Sequence, residues 1–144
     1  MKLNLSEKIS KEVVDVVETF EKGGFEAFLV GGCVRDLLLG KIPKDWDVAT
    51  SAKPEEMQKL FPDSVYENNF GTVGVKTGSE EDALKVLEVT TFRKEGAYTD
   101  KRHPDEIKFA DSIEDDLARR DFTVNAMAIR CDTNILMHTN DTND

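Results

Sequence analysis

The sequence predicts an α/β (α+β) fold, a mixed β-sheet flanked by helices. Two observations lead there. Helical and extended patterns are interspersed along the chain, but they do not alternate strictly as a doubly wound parallel fold requires. The 144 residues suit one domain, and a chain of that size buries roughly 68–70% of its unfolded surface, enough for a core without disulfides or structural metal.

The elements follow in order. Ser6–Lys22 reads as an amphipathic helix, with Ile9, Val13, Val16, Val17 and Phe20 at helical spacing, Ser6 as N-cap and Gly23-Gly24 as its stop. Phe25–Val30 is a short apolar run expected to be a buried strand. Cys33–Leu39 reads as a short helix closed by Gly40, and Trp46–Ala49 as the next strand. Pro54 opens a helix to about Phe61, with Glu55 and Glu56 in the first turn where acids suit the helix dipole. Strands are expected at Ser64–Glu67, Thr72–Lys76, Ala83–Phe92 and Glu106–Ala110, with a turn at Asn68-Asn69 and a polar loop over Arg93–Asp105. Two helices, Ser112–Arg119 and Phe122–Ile129, complete the pattern. Residues 1–134 form the expected domain, and residues 135–144 read as a polar tail whose last six residues are expected to fray.

Composition narrows the function. Hydrophobic residues make up 39% and charged residues 33%, and 19 basic against 29 acidic residues give a net charge of -10. That balance argues against a general nucleic-acid-binding surface while leaving room for a local basic site. Neither Cys33 nor Cys131 sits in a C-x-x-C pair, so zinc spacing is absent and two free thiols are expected. Met1–Ser10 carries no apolar run, and no stretch approaches the ~20 apolar residues of a membrane span. A cytoplasmic protein with no membrane partner is the expectation, its oligomeric state unread.

The richest stretch is LVGGCVRDLLLGKIPKDWDVAT, Leu29–Thr50. Residues i and i+2 of a strand share a face, so Asp45 and Asp47 project together while Trp46 and Val48 point inward. Two like charges so placed are favoured if a divalent cation sits between them, and Mg²⁺ takes one or two carboxylates plus substrate phosphates. Taken alone, an ordinary solvated strand face explains the pair as well. Gly31 and Gly32 after a buried strand let the backbone approach a phosphate, and Arg35 on the first helical turn has the reach to fork onto its oxygens. The bland reading is a tight turn with a surface arginine. The spacing matches neither a Walker A loop nor a dinucleotide fingerprint. Within one window, however, the joint pattern suits nucleotidyl transfer from a nucleoside triphosphate.

Further along, RRDFTVNAMA places Arg119, Arg120 and Asp121 ahead of an apolar segment. The arginines suit a triphosphate, and Asp121 suits a ribose hydroxyl or, equally, an N-cap. Asn125 reads as structural. Glu88 lies in the apolar strand LKVLEVTTFR and needs a partner, either a metal or an arginine. His103 and His138 read as surface residues, and no Ser- or Cys-nucleophile constellation can be assembled.

GGCVRDLLLG, KDWDVAT, FGTVGV, EVTTFRKEGAYTDKRHP and DDLARRDFTVNAMA, in this order, resemble the head domain of the class II tRNA nucleotidyltransferases, the CCA-adding enzymes, and their relatives the bacterial poly(A) polymerases. The resemblance spans about Phe28–Ile129. It implies a polymerase-β-like nucleotidyltransferase fold that adds CMP and AMP from CTP and ATP to tRNA 3′ ends. It implies Mg²⁺ on Asp45 and Asp47, with Glu88 as third carboxylate. It also implies triphosphate contacts from Gly31, Gly32 and Arg35, nucleotide contacts from Arg120 and Asp121, and a flexible loop at Arg93–Pro104 that helps switch from C to A addition. FGTVGV favours the CCA-adding branch over the poly(A) polymerases, and a non-catalytic nucleotide-binding module is the other alternative. The family pattern continues with a D-P-F-G-G turn and an E-D-x-x-R base-selecting motif; LMHTNDTND stands where the turn is expected, so the sequence reads as a head domain lacking neck, body and tail.

Overall fold

The computed structural model describes residues 8–67, 71–94, 108–118, 127–131 and 135–138, with Lys94 and 135–138 described by backbone alone. Helix α1 (Lys11–Lys22) starts later than the periodicity suggests. Ser10 is its N-cap in extended conformation, its carbonyl accepting the Val13 and Val14 N–H groups, whereas Ser6 lies outside the described residues. Val13, Val16, Val17 and Phe20 form the buried stripe, and Gly23 ends the helix. Strand β1 (Ala27–Val30), helix α2 (Gly32–Leu38), strand β2 (Asp47–Thr50) and helix α3 (Pro54–Leu60) follow. Strand β2 begins one residue later than expected, leaving Asp45 on the bend just ahead of it. Then come β3 (Ser64–Tyr66), β4 (Thr72–Lys76), β5 (Val86–Thr91), β6 (Arg93–Lys94), β7 (Lys108–Phe109), α4 (Ile113–Ala118), β8 (Met127–Arg130) and β9 (Ile135–His138).

Two expectations are corrected at the C-terminal end. Met127–Ile129 is not helical: β8 pairs antiparallel with β1, Leu29 opposite Ile129 and Val30 opposite Ala128. A short apolar run satisfies either period, and here pairing with a buried strand decides it. The tail read from Ile135 begins instead as β9, antiparallel to β8 with Met127 opposite His138. Residues 139–144 lie outside the described residues, as do Asn68, Asn69 and most of the Arg93–Asp105 loop, whose first two residues pair with β7 as a separate ribbon.

Seven strands form the main sheet in the order β3-β4-β5-β2-β1-β8-β9, the mixed architecture expected. Neighbours are antiparallel except β2 and β5, which run parallel with Asp47 opposite Glu88. Alternation sends side chains to two cores. Leu29, Val48, Leu87, Val89 and Ile129 join residues of α1, α2 and α3 on one face. Phe28, Val30, Ala49, Phe92 and Ala128 join Ile113 and Leu117 of α4 on the other. This second core is small, and α4 reaches only part of its face. A buried carboxylate, Asp116, pins α4 to β6 of the separate ribbon by accepting the Arg93 backbone N–H at 2.8 Å.

Phe92 anchors that second core. It is fully buried, its ring centroid is 6.1 Å from that of Phe28, and its backbone bonds both Thr50 and Ala110. Phe92→Ala is expected to cost ~3–5 kcal/mol in urea denaturation, the range for removing a buried aromatic ring. A loss below ~1 kcal/mol would mean that α4 does not depend on this ring.

Candidate active site

The site forms where β1 ends and β2 begins. These strands are antiparallel neighbours with Val30 opposite Asp47, so the turn leaving β1 lies beside the carboxylate opening β2. Gly31 takes φ 77° and ψ -146°, a conformation that L side chains rarely adopt. A Cβ on Gly31 would lie 3.4 Å from Asp47 Oδ2, so the glycine also leaves room for that carboxylate. A Cβ on Gly32 would meet Arg35 Nη2 at 3.4 Å, which places the guanidinium back over the start of α2. Asp36 holds it there, accepting from Arg35 Nε and Nη2 at 3.3 Å each; this exposed pair orients more than it stabilises.

Two clefts share Asp45 and Asp47 as a common wall. One, of about 530 Å³, is lined by Gly32, Arg35, Asp36, Lys41 and Lys44 as well as the pair. The other, of about 300 Å³, is lined by Asp82, Val86 and Glu88, with no cationic residue among the described residues that line it. Asp45 is exposed and Asp47 half-buried, while Trp46 between them is buried in the first core with Val48. Glu88 lies between Leu87 and Val89 of the first core, so it faces the same side as Asp47 and stands opposite it in register. The predicted carboxylates Asp45, Asp47 and Glu88 are thus brought together, with Gly31, Gly32 and Arg35 beside them. Arg120 and Asp121 lie outside the described residues.

Among the described residues no three His, Cys, Asp or Glu side chains converge as a self-sufficient metal site. The donor set is a carboxylate pair that would leave most of a cation's coordination sphere to phosphate and water, the arrangement that suits Mg²⁺ rather than a fully protein-caged ion. The sequence reading passed over Asp36, Lys41 and Lys44 as site residues. For Lys44 the signal was the PKDWD spacing, in which a buried Pro43 and a buried Trp46 leave Lys44 and Asp45 facing out.

Glu67 is a further residue that sequence reasoning missed. It follows β3, and a Cβ on Gly74 would lie 2.6 Å from its Oε1, so its carboxylate crosses a notch that only glycine leaves. Burial, and then the negative charge of Glu88, push its pKa above the ordinary 4.5. Folding therefore favours the protonated form, and the resulting stability is present below pH 4.5 and lost as pH rises through the folded value. Glu67→Gln is expected to raise the melting temperature at pH 7 in a metal chelator, with no gain below pH 4.5; equal gains at both pH values would contradict the charge account.

Cys33 is structural. Its buried thiol donates to the Val30 carbonyl at 3.1 Å, and burial raises its pKa to about 11. Only ~0.1% is thiolate at pH 8, and the thiolate is the reactive form. A disulfide reagent at pH 8 is expected to titrate one thiol in the folded chain, Cys131, and both in denaturant. Rapid reaction of Cys33 in the Cys131→Ser variant would overturn this.

Comparison with known proteins follows the same geometry. The family model of the poly(A) polymerase head domain matches residues 27–143. The chain belongs to this family. Among curated proteins, this head domain is 47% identical over 132 residues to the CCA-adding enzyme of Lactococcus lactis subsp. lactis, covering 89% of this chain and 32% of that enzyme. It is 42% identical over 142 residues to the CCA-adding enzyme of Leuconostoc citreum, covering 94% of this chain and 33% of that enzyme. The fold matches the Bacillus stearothermophilus CCA-adding enzyme in complex with CTP at TM-score 0.73 and 37% identity, over 88% of this chain and 29% of that one. A tRNA nucleotidyltransferase complexed with a primer tRNA and an incoming ATP analog matches at TM-score 0.59 and 32% identity, over 85% of this chain and 34% of that one. The chain thus spans about a third of the length of the relatives it matches, and its mixed sheet flanked by helices is that of their head domains. No helix among the described residues is long and apolar enough to cross a membrane.

Proposed function

We propose that the chain is the catalytic head of a CCA-adding nucleotidyltransferase, which transfers CMP and AMP from CTP and ATP to tRNA 3′ ends in the cytoplasm. The observation that carries this reading is the juxtaposition of glycine turn and carboxylate: Gly31 stands beside Asp47, whose Oδ2 would lie 3.4 Å from a Cβ at that position, at the wall shared by a cation-bearing and an acidic cleft.

In the reaction the 3′-hydroxyl oxygen bonds to the α-phosphorus. The bond from that phosphorus to the β-phosphate bridging oxygen breaks, pyrophosphate leaves, and the hydroxyl proton passes to a carboxylate or to water. Asp45 and Asp47 would hold Mg²⁺, which when bound neutralises phosphate charge and lowers the pKa of an attacking hydroxyl. Gly31 and Gly32 give the triphosphate close access to the backbone, and the Arg35 guanidinium, folded over Gly32, is aimed at its oxygens. The acidic cleft beside Glu88, lined by no cation among the described residues, repels phosphate and suits the neutral hydroxyl end. Arg120 and Asp121 are assigned to the nucleotide and its ribose on the RRDFTVNAMA motif alone.

The competing reading is a nucleotide-binding module that has kept the fold without the chemistry. Calorimetric titration of Mg·ATP and Mg·CTP separates the two when joined to incorporation assays in the full-length protein. Asp47→Ala is expected to weaken Mg²⁺-dependent binding at least about tenfold and to abolish incorporation, with the melting temperature nearly unchanged. Binding that is indifferent to Mg²⁺ and to both Asp45→Ala and Asp47→Ala would defeat the proposal. Selective incorporation of AMP alone would instead favour a poly(A) polymerase head.

A further inference from the structure

The cation-bearing cleft has an outer lip that none of the assignments above uses. Helix α2 ends at Leu38, and the chain turns through Gly40, where the Lys41 N–H donates to the Asp36 carbonyl at 2.8 Å. The chain is pinned again by Pro43 and Trp46, both buried. Between these anchors Lys41 and Lys44 are exposed, and both line the cleft with Gly32 and Arg35 on one side and Asp45 and Asp47 on the other. Exposed lysines usually lie against carboxylates or point to open solvent. Here neither ammonium is within ion-pair distance of a carboxylate among the described residues. Two uncommitted cations are therefore held at a cleft where Arg35 and Asp36 already satisfy each other at 3.3 Å.

We propose that Lys41 and Lys44 grip the distal phosphates of the nucleotide and then the leaving pyrophosphate. The proposal rests on reading this cleft as the triphosphate site. A flexible ammonium acts as a point charge and tolerates the movement of pyrophosphate away from the α-phosphorus, whereas a guanidinium fixed over the turn suits the stationary end. The lysines would therefore act most on ligands with a β- and γ-phosphate and least on a nucleoside monophosphate.

Inorganic pyrophosphate is the decisive probe, because it has no base and draws only on this chain's half of the site. Titrated with Mg²⁺ by calorimetry, the double variant Lys41→Ala/Lys44→Ala is expected to bind pyrophosphate about tenfold more weakly than the parent, the sum of two exposed charge contacts, and the difference should shrink at high salt. AMP affinity should stay within about twofold, Lys41→Arg/Lys44→Arg should restore pyrophosphate binding, and the melting temperature should not move. If Arg35→Ala and Asp47→Ala weaken binding but the double lysine variant does not, the lysine grip is wrong and the cleft assignment stands. If the parent fails to bind Mg-pyrophosphate, or binds it regardless of Arg35 and Asp47, both fall together.

Discussion

The antiparallel register of β1 and β2 is the constraint on which the site depends. With Val30 opposite Asp47, the exit of one strand and the entry of the next are fixed side by side, whatever the long connection between them does. A slip of one residue would turn Asp47 into the core and Val48 out, exchanging the carboxylate face for a hydrophobic one. The register is held by burial: Leu29 and Val48 belong to one core, Phe28 and Ala49 to the other, so no neighbouring register satisfies both faces. The cysteine thiol bonded to Val30 adds a tie between α2 and the same strand end. Geometry at the phosphate turn is thus a product of core packing some residues away.

The same alternation explains how acidic residues stand in so buried a sheet. Four-residue β2 is covered at Val48 on one side and at Ala49 on the other, while its first residue, Asp47, is only half-buried. Glu88 lies across from that residue on the parallel neighbour, at an inter-strand spacing of ~4.8 Å. Carboxylates at that spacing repel, and Glu67, brought in over Gly74, adds to the repulsion: its pKa is raised by burial first and then by the charge of Glu88. A fold that gathers unbalanced negative charge at the open end of one sheet face loses stability there, as functional sites commonly do. A bound divalent cation reverses the sign of that contribution.

Much of this was legible in the chain because alternation and helical periodicity are local signals. Trp46 and Val48 inward with Asp45 and Asp47 outward followed from a period of two, although the strand itself begins only at Asp47. The stripe Val13, Val16, Val17 and Phe20 followed from a period of 3.6. Two things were not local. Met127–Arg130 is a strand because β1 offers it a buried edge, a fact about pairing that no window of its own residues contains. Glu67 reaches the carboxylates only because Gly74, on the facing strand, leaves the space; neither residue signals this alone. The lysines of the α2–β2 connection were overlooked for a related reason, since their chemistry comes from the two anchors that hold them at a cleft rather than from the residue type.

Charge at the cleft decides how such a site must take up a nucleotide. Among the described residues, Arg35, Lys41 and Lys44 line it together with Asp36, Asp45 and Asp47, so basic and acidic groups balance there inside a chain of net charge -10. A nucleoside triphosphate approaching without metal meets no net local attraction and a repulsive far field. Divalent cations change this in one step, because they offset the aspartates and leave the three cationic residues as an excess facing the phosphates. Affinity then grows with metal and polyanion together and with neither alone. On the proposed function, the cleft would discriminate a metal-bound triphosphate from a free one before any group has read the base.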